Sequence, residues 1–332
     1  MANSSSAPRP TTPGSPETGA IVVIDGGLAT ALEARGHDLS DRLWSARVLL
    51  TEPAAIEAVH LAYFAAGATV ATTASYQATV PGFAAVGLDR AAALGAIGRS
   101  VELARRARER YAEAVGVRIE ARLVAGSVGP YGALLADGSE YRGDYDPGTE
   151  ALRDVHAPRM EALIEAGVDL LAIETIPTMR EAEVLVGLVR EFGVRAWLSY
   201  QCRDGASTAA GEPIGEAVTI AAGVPEIVAV GVNCTAPGHI ASLLEIAHAA
   251  VPGLPLIAYP NGGERWDATR RRWDPGDGTG AFSPSDVASW ASLGATWLGG
   301  CCGTGPHDIA ALSQALHERA QAPISNVATP AS

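Results

Sequence analysis

The chain is 332 residues long, 48% hydrophobic, with 37 glycines and a formal net charge of −13. That acidic balance, with no basic run longer than Arg270-Arg271-Arg272, excludes a nucleic-acid binder, and no apolar stretch reaches the length of a membrane span. All 24 basic residues are arginines, which excludes a lysine Schiff-base enzyme and a lysine-bearing P-loop.

Residues 1–19 are rich in Ser, Pro and Thr and carry no apolar core, so they read as a disordered leader rather than a signal peptide. With no secretory signal and four cysteines in all, a reducing, cytoplasmic location is expected. The β-branched run 21–24, ending in Asp25-Gly26-Gly27, is the first expected strand, followed by a helix over 28–35 and an irregular connection with apolar anchors over 44–50. Ile56, Val59, His60 and Tyr63 have helical spacing within 53–66, and Gly67 stops that helix. A second strand falls at 69–73, a long Ala- and Arg-rich helix at 90–115, and a third strand within the run 122–130, leaving through a glycine-punctuated turn at Gly126-Ser127-Val128-Gly129. A polar excursion over 136–149 precedes a helix that ends at Gly167. Strands then recur at 170–174, 196–200, 227–231, 256–259 and 296–298, separated by helices at 179–192, 213–222, 240–250 and 284–293. A last helix at 307–320 precedes a Pro- and Ser-containing tail.

Eight near-continuously apolar strands alternating with helices predict a single-domain (β/α)8 barrel over 20–321, between the leader 1–19 and a flexible tail 322–332. A doubly wound open sheet is the alternative, but the first glycine-rich exit, Asp25-Gly26-Gly27-Leu28-Ala29-Thr30, lacks the dinucleotide-binding pattern.

Barrel enzymes keep their chemistry at the carboxyl ends of the strands. Cys301 and Cys302, bracketed by glycines, follow the eighth strand, and Cys234 follows the sixth. Neighbouring cysteines close a strained disulfide ring, so the three thiols read as zinc ligands, leaving the fourth tetrahedral position open as a catalytic zinc requires. The competing reading is three buried small apolar residues. Cys202 reads as an ordinary thiol. Asp25 and Glu174, at the mouths of strands one and four, suit a substrate ammonium unless they cap helices or pair with arginine. The backbone of the Gly126–Gly129 turn, with Thr72 and Thr73, suits a carboxylate. The implied ligand is an amino acid whose side chain reaches the metal. The histidines show no H-x-H or H-E-x-x-H spacing, which disfavours a histidine-ligated zinc hydrolase.

Asp25-Gly26-Gly27-Leu28-Ala29-Thr30, Leu43-Trp44-Ser45-Ala46, Thr72-Thr73-Ala74-Ser75-Tyr76-Gln77, Gly126-Ser127-Val128-Gly129-Pro130, Glu174-Thr175-Ile176-Pro177, Gly231-Val232-Asn233-Cys234-Thr235 and Gly299-Gly300-Cys301-Cys302-Gly303-Thr304 together resemble the homocysteine S-methyltransferase family. The resemblance runs in order from about residue 20 to 320 and is strongest to the branch that uses S-methylmethionine or S-adenosylmethionine. It implies a zinc-bearing barrel that methylates homocysteine to methionine, with zinc on Cys234, Cys301 and Cys302 and with Asp25 and Glu174 holding homocysteine. Thr72, Thr73, Ser127 and Asn233 complete the expected substrate contacts. No dedicated catalytic base is expected, because zinc makes the substrate thiol a thiolate. The expected partners are homocysteine and a cationic sulfonium donor, with neither nucleic acid nor membrane. Alternatives are methyl transfer to selenocysteine or another small thiol, or a zinc-binding barrel without turnover. The arginine-rich loop 263–273 is expected to be solvated or paired with acids; the lesser alternative is that Trp266 or Trp273 supplies a ring facing the sulfonium.

Overall fold

The computed structural model describes residues 21–39, 45–263, 265–267, 272–274 and 282–321. The expected leader, the tail, and Leu43 and Trp44 of the second motif lie outside the described residues. Eight parallel strands form one sheet: β1 (Val22–Val23), β2 (Val70–Thr72), β3 (Leu123–Val128), β4 (Leu170–Ile176), β5 (Ala196–Tyr200), β6 (Ile227–Asn233), β7 (Leu256–Tyr259) and β10 (Ala295–Leu298). Strand β1 pairs with β10, and the bridge Ile24–Val70 joins it to β2, so the ring closes as a (β/α)8 barrel. A two-stranded antiparallel pair, β8 (Arg265–Asp267) and β9 (Arg272–Asp274), lies in the loop after β7. The roles expected for Trp266 and Trp273 concern side chains outside the described residues.

Strand alternation sorts the apolar residues into two cores. Val22, Ile24, Val70, Ala125, Ala172, Trp197, Ala229, Ile257, Tyr259 and Trp297 point into the barrel, while Val23, Val124, Leu171, Leu198, Val230 and Leu298 pack outward against the helices. Inside the barrel, three large rings pack together: Trp197 lies 5.7 Å from Trp297 and 6.1 Å edge-on from Tyr259, and Ala125, Ala172 and Ala229 belong to the same cluster. The mouth of the barrel is therefore floored by packed side chains.

The connecting helices begin and end on local chemistry. In α5 (Arg90–Val115), the Asp89 side chain accepts from the Ala92 N–H at 2.8 Å, and Gly116 ends the helix at φ 70°. In α11 (Pro284–Ser292), Ser283 and Asp286 form a reciprocal capping box. The segment 44–50, read as irregular, is instead helix α2 (Ser45–Thr51). It is too short for a 3.6-residue period to register before Pro53, although it buries Ala46, Val48 and Leu49. The supposed turn at Gly126–Gly129 is also corrected, because Gly126, Ser127 and Val128 are the last residues of β3 itself. Among the described residues, no helix is long and apolar enough to cross a membrane.

At Gly231 the sixth and seventh strands approach so closely that a Cβ would lie 2.0 Å from the Ile257 carbonyl oxygen. Gly231→Ala is therefore expected to lower unfolding free energy by roughly 1–3 kcal/mol through forced strand separation. Urea unfolding of the variant checks this.

Candidate metal centre and active site

The ends of β6 and β10 bring three sulfurs together. The ligand atoms of Cys234, Cys301 and Cys302 lie within 4.8 Å of one another, and Cys234 Sγ is 3.7 Å from Cys302 Sγ. Backbone bonds fix this geometry. The Cys234 N–H donates to the Tyr259 carbonyl at 3.0 Å, Cys301 N–H to Pro260 at 2.8 Å, and Gly262 N–H to the Cys302 carbonyl at 2.7 Å, so the loop after β7 staples the other two strand ends. Glycine is required at 300, where a Cβ would lie 2.1 Å from Thr304 Oγ1, the hydroxyl that donates to the Cys301 carbonyl at 2.6 Å.

Cys234 leaves β6 at φ 47°, and Thr175, just past Glu174, sits at φ 61°. A β-branched residue in the left-handed region costs about 1–3 kcal/mol. Asn233 holds Thr175 there by a reciprocal pair: the Thr175 N–H donates to Asn233 Oδ1 at 2.7 Å, and Asn233 Nδ2 donates to Thr175 Oγ1 at 2.8 Å. Asn233 is fully buried, accepts also from Ser199 Oγ at 2.9 Å, and lies 3.9 Å from Cys301 Sγ. Its amide is thus committed to the frame of the site, away from the pocket wall.

The sulfurs open into a pocket with about 680 Å³ of empty space, partly continuous with solvent and walled by Asp25, Thr72, Thr73, Ser127 and Glu174 together with Tyr76, Tyr141, Thr175 and Tyr259. Asp25 is buried and accepts from the Thr72 N–H and Thr72 Oγ1, each at 2.8 Å. Burial pushes its carboxyl well above the usual range, the Thr72 bonds oppose this, and the Glu174 charge adds to it. Glu174 accepts from Ser127 Oγ, and from Tyr259 OH at 3.2 Å. Burial, then the Cys301 charge, pushes it up to about 7. Thr73 Oγ1 accepts from the Ser127 N–H at 3.0 Å and meets Ser75 Oγ at 2.7 Å. Thr72 thus donates to the protein's own carboxylate, and the Ser127 N–H to the protein's own hydroxyl.

The three thiols share negative charge unequally. Cys301 and Cys302 donate toward Cys234 and hold it well below the ordinary thiol range, with Tyr141 adding a further hydrogen bond, and Cys234 in turn pushes both of the others up. Cys202 lies outside this group; it is buried, which pushes its thiol well up.

Several wall residues carried no role in the sequence reading. Tyr259 was read only as strand, although its parity with Ile257 places it inward. Thr175 and Tyr76 stood in motifs without a function, and Tyr141 lay in the excursion taken to be merely polar. One residue before it, Glu140 is 5% exposed with one carboxylate oxygen lacking any hydrogen-bond partner, and burial pushes it up to about 7.

A closed parallel barrel with a three-thiol cluster and two buried carboxylates at its carboxyl mouth defines a candidate metal-assisted enzyme acting on a small molecule. The homocysteine S-methyltransferase family model matches residues 22–316, and the chain belongs to that family. It is 50% identical over 293 residues to a homocysteine S-methyltransferase of Escherichia coli, covering 88% of this chain and 94% of that one. It is 43% identical to a selenocysteine Se-methyltransferase of Brassica oleracea, covering 91% of each chain. The metallated form of the homocysteine methyltransferase MmuM from E. coli superposes with a TM-score of 0.79 at 47% identity, over 89% of this chain and 96% of that one.

Because the fold prefers Glu140 protonated, the contribution of this group to stability is full below about pH 4.5 and is lost as pH rises to about 7. Glu140→Gln should leave stability unchanged at the acid end and raise it above pH 7, by at most about 3 kcal/mol. Unfolding curves across this range decide; parallel curves for the two proteins would contradict the assignment.

Proposed function

We propose that the protein transfers a methyl group from a sulfonium donor, S-methylmethionine or S-adenosylmethionine, to the thiol of L-homocysteine, with zinc held by Cys234, Cys301 and Cys302. The observation that carries this reading is the three-sulfur cluster opening into the same pocket as Asp25 and Glu174. The donor set fits zinc, since thiolate sulfurs at about 2.3 Å from a tetrahedral ion stand about 3.8 Å apart, against the 3.7 Å between Cys234 and Cys302. When bound, zinc lowers the pKa of a thiol at its open position, so that homocysteine reacts as a thiolate near neutral pH.

The chain's own residues supply the rest. Asp25 and Glu174 are buried carboxylates on one pocket, and the Glu174 charge raises the proton affinity of Asp25; one ammonium relieves both, so the pair binds the homocysteine amino group. Thr72 orients the first and Ser127 the second. Thr73 lines the same wall, and Asn233 fixes the Cys301 side of the cluster. In the transfer, the homocysteine sulfur forms the new S–CH3 bond as the donor's S–CH3 bond breaks, and the bonding pair stays on the donor sulfur, which becomes a neutral thioether. Orientation of the two sulfurs about the methyl carbon supplies much of the rate. Because the plant relative acts on a selenol, selenocysteine is a second acceptor of the same chemistry.

Methionine formation by the zinc-loaded protein, with both sulfonium donors and with homocysteine and selenocysteine in competition, tests the reading. Cys302→Ser is expected to lose the metal and activity while keeping native circular dichroism. Glu174→Ala should raise the homocysteine KM by roughly 30-fold or more, through loss of a buried charge partner, with metal content unchanged. Loss of metal in that variant would refute the assigned role.

A further inference from the structure

Beneath the Glu174 carboxylate, a chain of buried polar side chains shares too few protons. Tyr259 OH lies 3.2 Å from Glu174 Oε2 and 2.6 Å from Ser199 Oγ, and Ser199 Oγ lies 2.9 Å from Asn233 Oδ1 and 3.4 Å from the Ile173 carbonyl. The two ends of this chain have fixed polarity. The indole N–H of Trp197 can only donate, and it occupies one lone pair of the Tyr259 oxygen at 2.9 Å. Asn233 Oδ1 can only accept, and the Thr175 N–H, 2.7 Å away, fixes that the amide presents its oxygen here. A charged Glu174 carboxylate likewise only accepts. Tyr259 lines the pocket, whereas Ser199 is fully buried behind it.

Three contacts, Glu174 with Tyr259, Tyr259 with Ser199 and Ser199 with Asn233, therefore depend on two hydroxyl protons. If Ser199 donates to Asn233, its oxygen is open to the Tyr259 proton at the shorter distance. The charged Glu174 oxygen then faces the phenol oxygen with no proton between them. If Tyr259 instead donates to Glu174, Ser199 turns its own proton to Tyr259, and Asn233 loses that donor. A third proton enters only when Glu174 is a neutral acid, which has no charge to offer an ammonium. A charged Glu174 thus gains its bond from Tyr259 at the expense of the bond from Ser199 to Asn233, and one net hydrogen bond in a buried chain is enough to alter ligand affinity.

We propose that Ser199 sets the affinity of the site for the substrate amino group, by competing with the Glu174 carboxylate for the single hydroxyl proton of Tyr259. The inference rests on the reading above, in which Glu174 binds the homocysteine ammonium. Tyr259 is the donor that holds the charged carboxylate in place, and Ser199 draws that donor away until an ammonium fixes the charge. Ser199 is a positioning residue, since it reaches the ligand only through Tyr259 and Glu174. The bond it gives up belongs to the frame in which Asn233 keeps Thr175 left-handed, so binding of the amino group loosens one bond of that frame.

The test measures binding of two thiols to the full-length, zinc-loaded protein by calorimetry: L-homocysteine, and γ-mercaptobutyrate, which is homocysteine without its amino group. Ser199→Ala removes the competing acceptor, so the Tyr259 proton stays on Glu174. Homocysteine is expected to bind this variant about threefold to fivefold more tightly, with γ-mercaptobutyrate bound as in the parent. Tyr259→Phe removes the donor itself and is expected to weaken homocysteine by about tenfold or more, again sparing γ-mercaptobutyrate. A merely structural role predicts weaker binding in both variants and of both thiols. Homocysteine bound no more tightly by Ser199→Ala than by the parent, or an equal change for the two thiols, overturns the proposal. If Ser199→Ala does not fold, Tyr259→Phe decides: a loss confined to homocysteine supports the competition, and unchanged binding or an equal loss of both thiols overturns it. A parent protein that binds the two thiols equally refutes the assignment of Glu174 to the ammonium, whereas a parent that prefers homocysteine, with a Ser199→Ala variant of the same preference, refutes only the role of Ser199.

Discussion

Crowded negative charge in a place that excludes water is the constraint from which the site follows. The mouth of the barrel gathers three thiols, Asp25 and Glu174, and burial is the largest of the causes that raise the proton affinity of both carboxyl groups. Such a set is stable only if cations occupy it or protons remain on it. The site presents two kinds of atom that a cation can rest against, thiol sulfur and carboxylate oxygen. The same excess of charge that makes the empty pocket costly makes it selective.

The rigid parts of the molecule explain how that charge is kept in place. Asn233 locks Thr175 in a left-handed conformation, Ser199 and Tyr259 meet at 2.6 Å beneath it, and Trp197 donates to Tyr259 at 2.9 Å, so a hydrogen-bonded column rises from the aromatic floor of the barrel to the Glu174 carboxylate. Every member is buried, and each bond fixes the rotamer of the next. Binding precision is thereby inherited from core packing.

The barrel was legible because each strand repeats one simple pattern, and helix ends such as Gly116 and Gly193 carry their own signals. The cysteine cluster was legible because rare residues fell at strand ends two places apart around the ring. What the sequence hid was allegiance. Thr72 and Ser127 belong at the site, but pattern alone does not reveal that their donors already serve Asp25, Glu174 and Thr73. Tyr141 and Glu140 were hidden for a different reason, since an irregular excursion has no periodicity from which an inward direction can be read. Helix α2 escaped notice through brevity.

The ring of strands closes at its thinnest point, where β1 contributes two residues and a single bridge at Ile24 reaches β2. Directly above that seam, the Asp25 side chain crosses to Thr72 through two hydrogen bonds. One carboxylate is thus both the last stitch of the barrel wall and a wall of the pocket. The charge state of Asp25 is thereby tied to the pairing of the first two strands, beside the bonds that Thr69 makes to Val23.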